Sequence, residues 1–177
     1  MALLDIKLYG SPVLRKKCKP VTKVTPDLVA LAKDMLDTMY DGGGCGLAGP
    51  QIGKAIRLVV IDTTRPDEGE TPEPHIMFNP EWGVEPDSTD VPYDEGCLSI
   101  PDIFCNVVRP GKVWTKFTDE NGQEVVLHNC EGILARCIQH ECDHLEGKLF
   151  VDVISTADRT MNQSRLRDMA KKAKKGE

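Results

Sequence analysis

The tightest constraint on this chain is a five-residue run, His140-Glu141-Cys142-Asp143-His144, set inside a helical apolar pattern. Ile133, Leu134, Cys137, Ile138 and Leu145 fall at helical spacing and Gly147 follows as a stop, which predicts a helix over about 133–145. Positions i and i+4 of a helix share a face, so both imidazoles can reach one cation while Glu141 flanks it. The competing reading is a surface helix whose charged residues happen to fall at that spacing.

The elements around this helix come from simpler signals. Thr25 caps and Pro26 opens a helix whose apolar face is Leu28, Leu31, Ala32, Met35 and Met39, and which must stop before Gly42, Gly43 and Gly44. Residues 57–62 (RLVVID) read as a buried strand and 75–79 as another. Segments 107–118 and 123–128 flank an Asp-Glu-Asn-Gly turn, a hairpin signal. A third helix, weakly amphipathic, is expected over roughly 157–174. Helices embedded among strands, without the alternation of a parallel sheet, predict an α+β fold: antiparallel or mixed strands around a central helix carrying H-E-x-x-H, plus a C-terminal helix. With 177 residues and neither a linker nor an internal repeat, one domain over 1–177 is expected.

Charge is unevenly spread along this frame. Residues 165–177 carry six bases (Arg165, Arg167, Lys171, Lys172, Lys174, Lys175) against Asp168 and Glu177, a net of +4. The total is -6, so the other residues sum to -10. Residues 62–95 hold eleven acids, the single base Arg65 and six of the twelve prolines, which suggests connecting loops and edge strands. So acidic a body argues against DNA binding, whereas the basic tail is suited to an acidic surface such as RNA. No stretch approaches 18 apolar residues, and the start MALLDIKLYG has neither a secretory nor a transit layout, so a cytoplasmic protein without a membrane span is expected. Seven scattered cysteines with no C-x-x-C pair fit reduced thiols, most of them buried as small apolar residues.

Two histidines do not complete a metal site, and a third ligand has to be found. No histidine follows His144, and the extended metalloprotease pattern ends on Phe150, which cannot bind a metal. Downstream carboxylates remain open (Asp152, Asp158, Asp168), but none sits in a convincing second helix. Upstream, Cys97 in Glu95-Gly96-Cys97-Leu98-Ser99 is the best candidate, because a thiolate binds first-row divalent cations and the preceding acid can orient a ligating imidazole. Cys142 points to the other side of the helix; Cys137 shares the His140 face but suits the core. The glycines at 42–46 are no phosphate loop, since no Gly-Lys-Ser/Thr follows and they come after a helix.

Three segments together resemble the motifs of peptide deformylases: Gly44-Cys45-Gly46-Leu47-Ala48-Gly49-Pro50-Gln51, Glu95-Gly96-Cys97-Leu98-Ser99, and Gln139-His140-Glu141-Cys142-Asp143-His144. The likeness covers roughly residues 5–153 and leaves 155–177 outside as a variable, basic helix or tail on a single catalytic domain. One departure is Gly49, where the family more often has Ala. The resemblance implies a hydrolase of N-terminal methionine processing in protein biosynthesis, removing the formyl group from formyl-methionine of nascent polypeptides and releasing formate. It implies Cys97, His140 and His144 as metal ligands with Glu141 as general base and acid. The Gln51 amide and the Leu98 backbone N–H are then the oxyanion donors, and the Gly46 backbone docks the substrate main chain. Cys45, Cys137 and the apolar edge of His140 are candidates for the methionine pocket. Arg136 is expected to meet the peptide or to pair with a carboxylate, and Glu95 to support a histidine. The donor set suits Fe(II), Zn(II), Ni(II) or Co(II), and the family favours Fe(II). Two rivals stand beside this reading. One is a zinc endopeptidase with a downstream third ligand. The other is a structural metal site closed by Cys137 or His128. On this reading the basic tail is expected to touch ribosomal RNA.

Overall fold

The computed structural model describes residues 2–64 and 68–175. Its architecture follows from one apolar tetrad. All four residues of β2 (Leu58–Ile61) are buried, as in a strand covered on both faces. Alternation sends Leu58 and Val60 into a core with Ala32, Met35 and Met39 of α1 (Pro26–Asp41). Val59 and Ile61 go the other way, into a core with Ile138, Cys142 and Leu145 of α2 (Gly132–Leu145). β3 (His75–Val84) repeats the pattern, with Ile76 and Phe78 towards α1 and Met77 towards α2.

These strands belong to a five-stranded antiparallel sheet in the order β1-β2-β3-β6-β7, completed by β1 (Gly46–Ala48), β6 (Lys112–Thr118) and β7 (Glu124–Glu131). The sheet is thus packed between α1 and α2. Each fully buried Leu, Ile or Met of this kind contributes about 1.5–3 kcal/mol. That apolar anchorage fixes α2 in azimuth and leaves its polar residues a defined direction. The Thr25 hydroxyl accepts from the Leu28 N–H at 3.4 Å, so α1 starts where the Thr-Pro pair places it.

Two expectations need correction. The acidic, proline-rich stretch 62–95 contains the middle strand of the sheet, β3, as well as loops. Its Pro80 is tolerated because the register slips between Phe78 and Glu81. Arg65, Pro66, Asp67 and Glu177, part of the tallies above, lie outside the described residues. Residues 107–118 are also not one strand. The chain breaks at Gly111, so that β5 (Ile100–Pro110) pairs with β4 (Asp90–Cys97) in a separate two-stranded sheet.

β5 buries Ile103, Cys105, Val107 and Arg109 in strict alternation while Phe104 and Val108 face outward. Its inward face packs with Leu149, Phe150 and Leu166, the last from α3 (Thr156–Lys175). The described residues thus form an α+β fold of two antiparallel sheets with α2 between the large sheet and the β4–β5 hairpin. Among the described residues no helix is long and apolar enough to cross a membrane.

Candidate metal centre

α2 presents His140, Glu141 and His144 on its buried polar side, and the end of β4 presents Cys97 opposite them. Ligand atoms of Cys97, His140 and His144 all lie within 4.8 Å of one another, the one such cluster of three or more His, Cys, Asp or Glu among the described residues. Cys97 Sγ lies 3.4 Å from His144 Nε2. A tetrahedral ion with nitrogen and sulfur ligands separates neighbouring donors by about 3.3–3.7 Å, so the spacing fits. The electrostatics of His144 fit as well. Burial first, then the neighbouring His140, holds the His144 imidazole far below its usual value, so it is neutral and able to ligate.

Behind His140 lies a dense set of charges. His140 Nδ1 is 2.9 Å from Glu95 Oε2, which leaves Nε2 to face the site. Arg109 grips the same carboxylate with Nε at 2.6 Å and Nη2 at 3.0 Å, and extends Nη1 to Asp143 at 2.7 Å. Arg136 donates to Glu95 Oε1 at 2.9 Å and to the carbonyls of Val107 and Val91. Burial pushes the Glu95 carboxyl upward, but the bonds from His140 and Arg109 outweigh it and hold it at about 2. For His140 burial opposes the charge, while Cys97 and Glu95 more than offset it and raise the ring well above its ordinary value. Phe150 stacks on the ring at 6.0 Å between centroids.

In front of the histidines lies a cavity of about 510 Å³. Glu141 reaches into it, 4% exposed, with Oε2 buried and without a hydrogen-bond partner; His144 Nδ1 is the other such atom found among the described residues. Burial pushes the Glu141 carboxyl up to about 8 despite the nearby His140. Gly46 makes this placement possible: a Cβ there would come within 2.5 Å of Glu141 Oε1. Gly49 answers to crowding too, since its Cβ would meet the carbonyl oxygens of Lys54 and Ile56 at 2.8 Å.

Gln51 is 1% exposed. Its Oε1 accepts from the Ala48 N–H at 2.8 Å, which fixes the amide so that Nε2 faces Cys97 Sγ at 3.4 Å and Ser99 Oγ at 3.2 Å. Leu98 lies in the β4–β5 turn and borders the cavity together with Cys45 and Cys137. The Cys45 and Cys137 sulfurs are 2.8 Å apart.

The structure therefore brings together Cys97, His140, Glu141, Gln51, Leu98, Gly46, Cys45, Cys137 and Glu95 around one cavity, with His144 behind its wall beside Cys97 and His140. Arg136 borders it too, but its guanidinium is committed to Glu95 and backbone carbonyls. Other ligand candidates lie elsewhere. His128 is at the exposed end of a contact with Glu85, Cys142 is in the core, and Asp152 and Asp158 bond to Arg15 and Ser155. Asp168 is exposed on α3. Arg109, Ser99 and Asp143 were not anticipated. Arg109 carried a usable signal: it occupies an inward position of β5, in step with Ile103, Cys105 and Val107, and a buried arginine in such a row needs an acid.

The sequence model of the polypeptide deformylase family matches residues 3–160. A peptide deformylase of Mesorhizobium japonicum is 44% identical over 171 residues, covering 97% of this chain and 95% of the relative. The crystal structure of a peptide deformylase from Legionella pneumophila superposes with a TM-score of 0.82 at 41% identity, covering 98% and 96% of the two chains. One from Synechococcus elongatus in complex with actinonin has a TM-score of 0.82 at 39% identity, covering 92% and 87%.

Proposed function

The chain belongs to the polypeptide deformylase family, and on that premise we propose that it is a metal-dependent hydrolase removing the N-terminal formyl group from formyl-methionine of nascent polypeptides, releasing formate. The observation that carries this reading is the convergence of Cys97, His140 and His144 beside a carboxylate, Glu141, whose buried Oε2 has no partner. Residues 1–177 act as one catalytic domain.

Cys97 Sγ and the free ring nitrogens of His140 and His144 would hold the ion, with Glu95 fixing the His140 ring. A divalent cation there supplies Lewis acidity for a carbonyl and lowers the pKa of water towards about 7. Glu141 takes the proton of the attacking water on Oε2 and returns it to the departing amine as the C–N bond breaks. Its dry surroundings favour that exchange, because a carboxyl raised by burial both accepts and releases a proton near neutrality. The Gln51 Nε2 group and the Leu98 backbone N–H donate to the oxygen as it gains charge, and Gln51 is preorganised because Ala48 already holds its Oε1. The Gly46 backbone receives the substrate main chain as an added strand, and Cys45 and Cys137 line the pocket for methionine. Arg136 acts from behind, through Glu95.

Thiolate and imidazole ligands suit Fe(II), the metal we assign, and are also compatible with Zn(II), Ni(II) and Co(II). The enzyme works in the cytoplasm on emerging chains, and the bases of α3 give it contact with the ribosome. Formyl-Met-Ala incubated with metal-replete protein should yield formate and free amine, whereas acetyl-Met-Ala should yield neither product. No formate from the formyl peptide would end the proposal, and deletion of 165–177 without change in ribosome co-sedimentation would end the tail's role. Actinonin is expected to suppress the formate signal.

A further inference from the structure

Cys45 and Cys137, which line the methionine pocket, also touch each other through their sulfurs, a contact that hydrolysis does not require. Their sulfurs lie 2.8 Å apart, the one thiol–thiol hydrogen bond among the described residues. That separation exceeds a disulfide bond of about 2.05 Å by about 0.8 Å. The two members differ in the way a reactive pair requires: Cys45 is exposed on the cavity wall, and Cys137 is buried behind it on α2. Cys18, Cys105, Cys130 and Cys142 pack as apolar core residues, and Cys137 does so as well but alone among them has a second thiol in contact.

We propose that Cys45 and Cys137 are a peroxide-responsive thiol pair whose oxidation to a disulfide lowers the affinity of the site for its peptide. This rests on the deformylase reading for its consequence, not for the bond itself. The Cys45 thiolate attacks one oxygen of hydrogen peroxide, the O–O bond breaks, and Cys45 becomes a sulfenic acid while hydroxide leaves and is protonated to water. Cys137 sulfur then attacks the Cys45 sulfur, the S–O bond breaks, and the departing hydroxide takes the Cys137 proton as a second water. Two thiols and one peroxide give one disulfide and two waters.

The consequence follows from position. Cys45 directly precedes Gly46, where a Cβ would run into Glu141. Cys137 is one turn before His140 on α2. A bond between them pins the entry to β1 onto α2 and fixes the pocket wall, so a methionine side chain can no longer displace the two sulfurs. Recognition should suffer before chemistry, as a rise in KM.

The test uses zinc-loaded holoenzyme, since Zn(II) does not change oxidation state and occupies Cys97. After hydrogen peroxide and alkylation, unreduced tryptic peptides should show Cys45 joined to Cys137 and two hydrogens lighter. kcat/KM for formyl-Met-Ala should fall at least tenfold in step, mainly through KM, and dithiothreitol should reverse both changes. Cys45→Ala, compared with its own untreated rate, should lose the reversible phase. Recovery of Cys45 and Cys137 as separate alkylated peptides while activity falls would overturn the proposal, as would a complete cross-link with unchanged kcat/KM. If untreated enzyme released no formate, the functional reading would fail, yet the cross-link would still be read by mass.

Discussion

Two carboxylates flank the His140 ring, and the protein surrounds them in opposite ways. On the hairpin side Glu95 is 4% exposed and bonded to two guanidinium groups and an imidazole. On the cavity side Glu141 is equally buried, 4% exposed, but no cation among the described residues bonds to it and one oxygen has no partner among them. Burial raises both carboxyls. For Glu95 hydrogen bonds reverse the effect and bring it to about 2, whereas for Glu141 burial prevails and leaves it at about 8. Equal burial with unequal partnership thus separates a permanent anion, fit to hold a ring in place, from a group able to exchange protons.

Removing the unpartnered member should do the most to activity. Glu141→Ala is expected to keep its metal by elemental analysis, since Cys97, His140 and His144 remain, while formate release falls by about 10⁴-fold, roughly 5.5 kcal/mol. Loss of metal together with activity would mean that Glu141 is a structural member of the site, and the contrast with Glu95 would collapse.

The partnered side should answer in stability instead. Arg109→Met strips two bonds from Glu95 and one from Asp143 and leaves buried negative charge poorly compensated. A cost of about 3–5 kcal/mol in urea unfolding is expected. A variant as stable as the parent would show that Arg136 and His140 alone suffice to hold Glu95.

This division was only half visible in the sequence. His140, Glu141 and His144 are local, spaced by a helix, and Cys97 and Glu95 travel in one short motif, so their chemistry could be read residue by residue. Arg109 and Asp143 could not be read that way. Arg109 meets Glu95 because β5 pairs Glu95 with Cys105 and turns Arg109 inward, a matter of register. Likewise 107–118 reads as one run of strand formers, and only the division at Gly111 sends its halves to different sheets. Ile76, Met77 and Phe78 make 75–79 legible as a buried strand, but the acids and prolines around it masked its extension to Val84 and its place in the middle of the sheet.

Gln51 tests the cavity side without touching charge. Gln51→Leu keeps the bulk and removes the donor facing Cys97 and Ser99, so kcat should fall about 10²–10³-fold, or 2.7–4 kcal/mol, with KM little altered. An equal rise in KM with kcat intact would make it a ground-state binding group.

The smallest effect should come from an ion pair that solvent reaches. Arg15 bonds Asp152 through both terminal nitrogens, yet their side chains are 43% and 28% exposed. Arg15→Ala should therefore cost no more than about 1 kcal/mol near neutral pH, several-fold less than Arg109→Met. The pair's acid dependence has a definite sign. Burial acts to raise the Asp152 carboxyl, but the Arg15 bonds and the Leu149 N–H win and hold it below its ordinary 3.8. A carboxyl depressed on folding stabilises the native state above its unfolded pKa, and that contribution fades as pH falls through the folded value. The Tm difference between parent and Arg15→Ala should accordingly be steady from pH 7 to about 5 and shrink below about 4. A gap that widened in acid would mean that Arg15 acts through packing on Tyr9, whose ring lies 5.9 Å from its guanidinium, and not through charge.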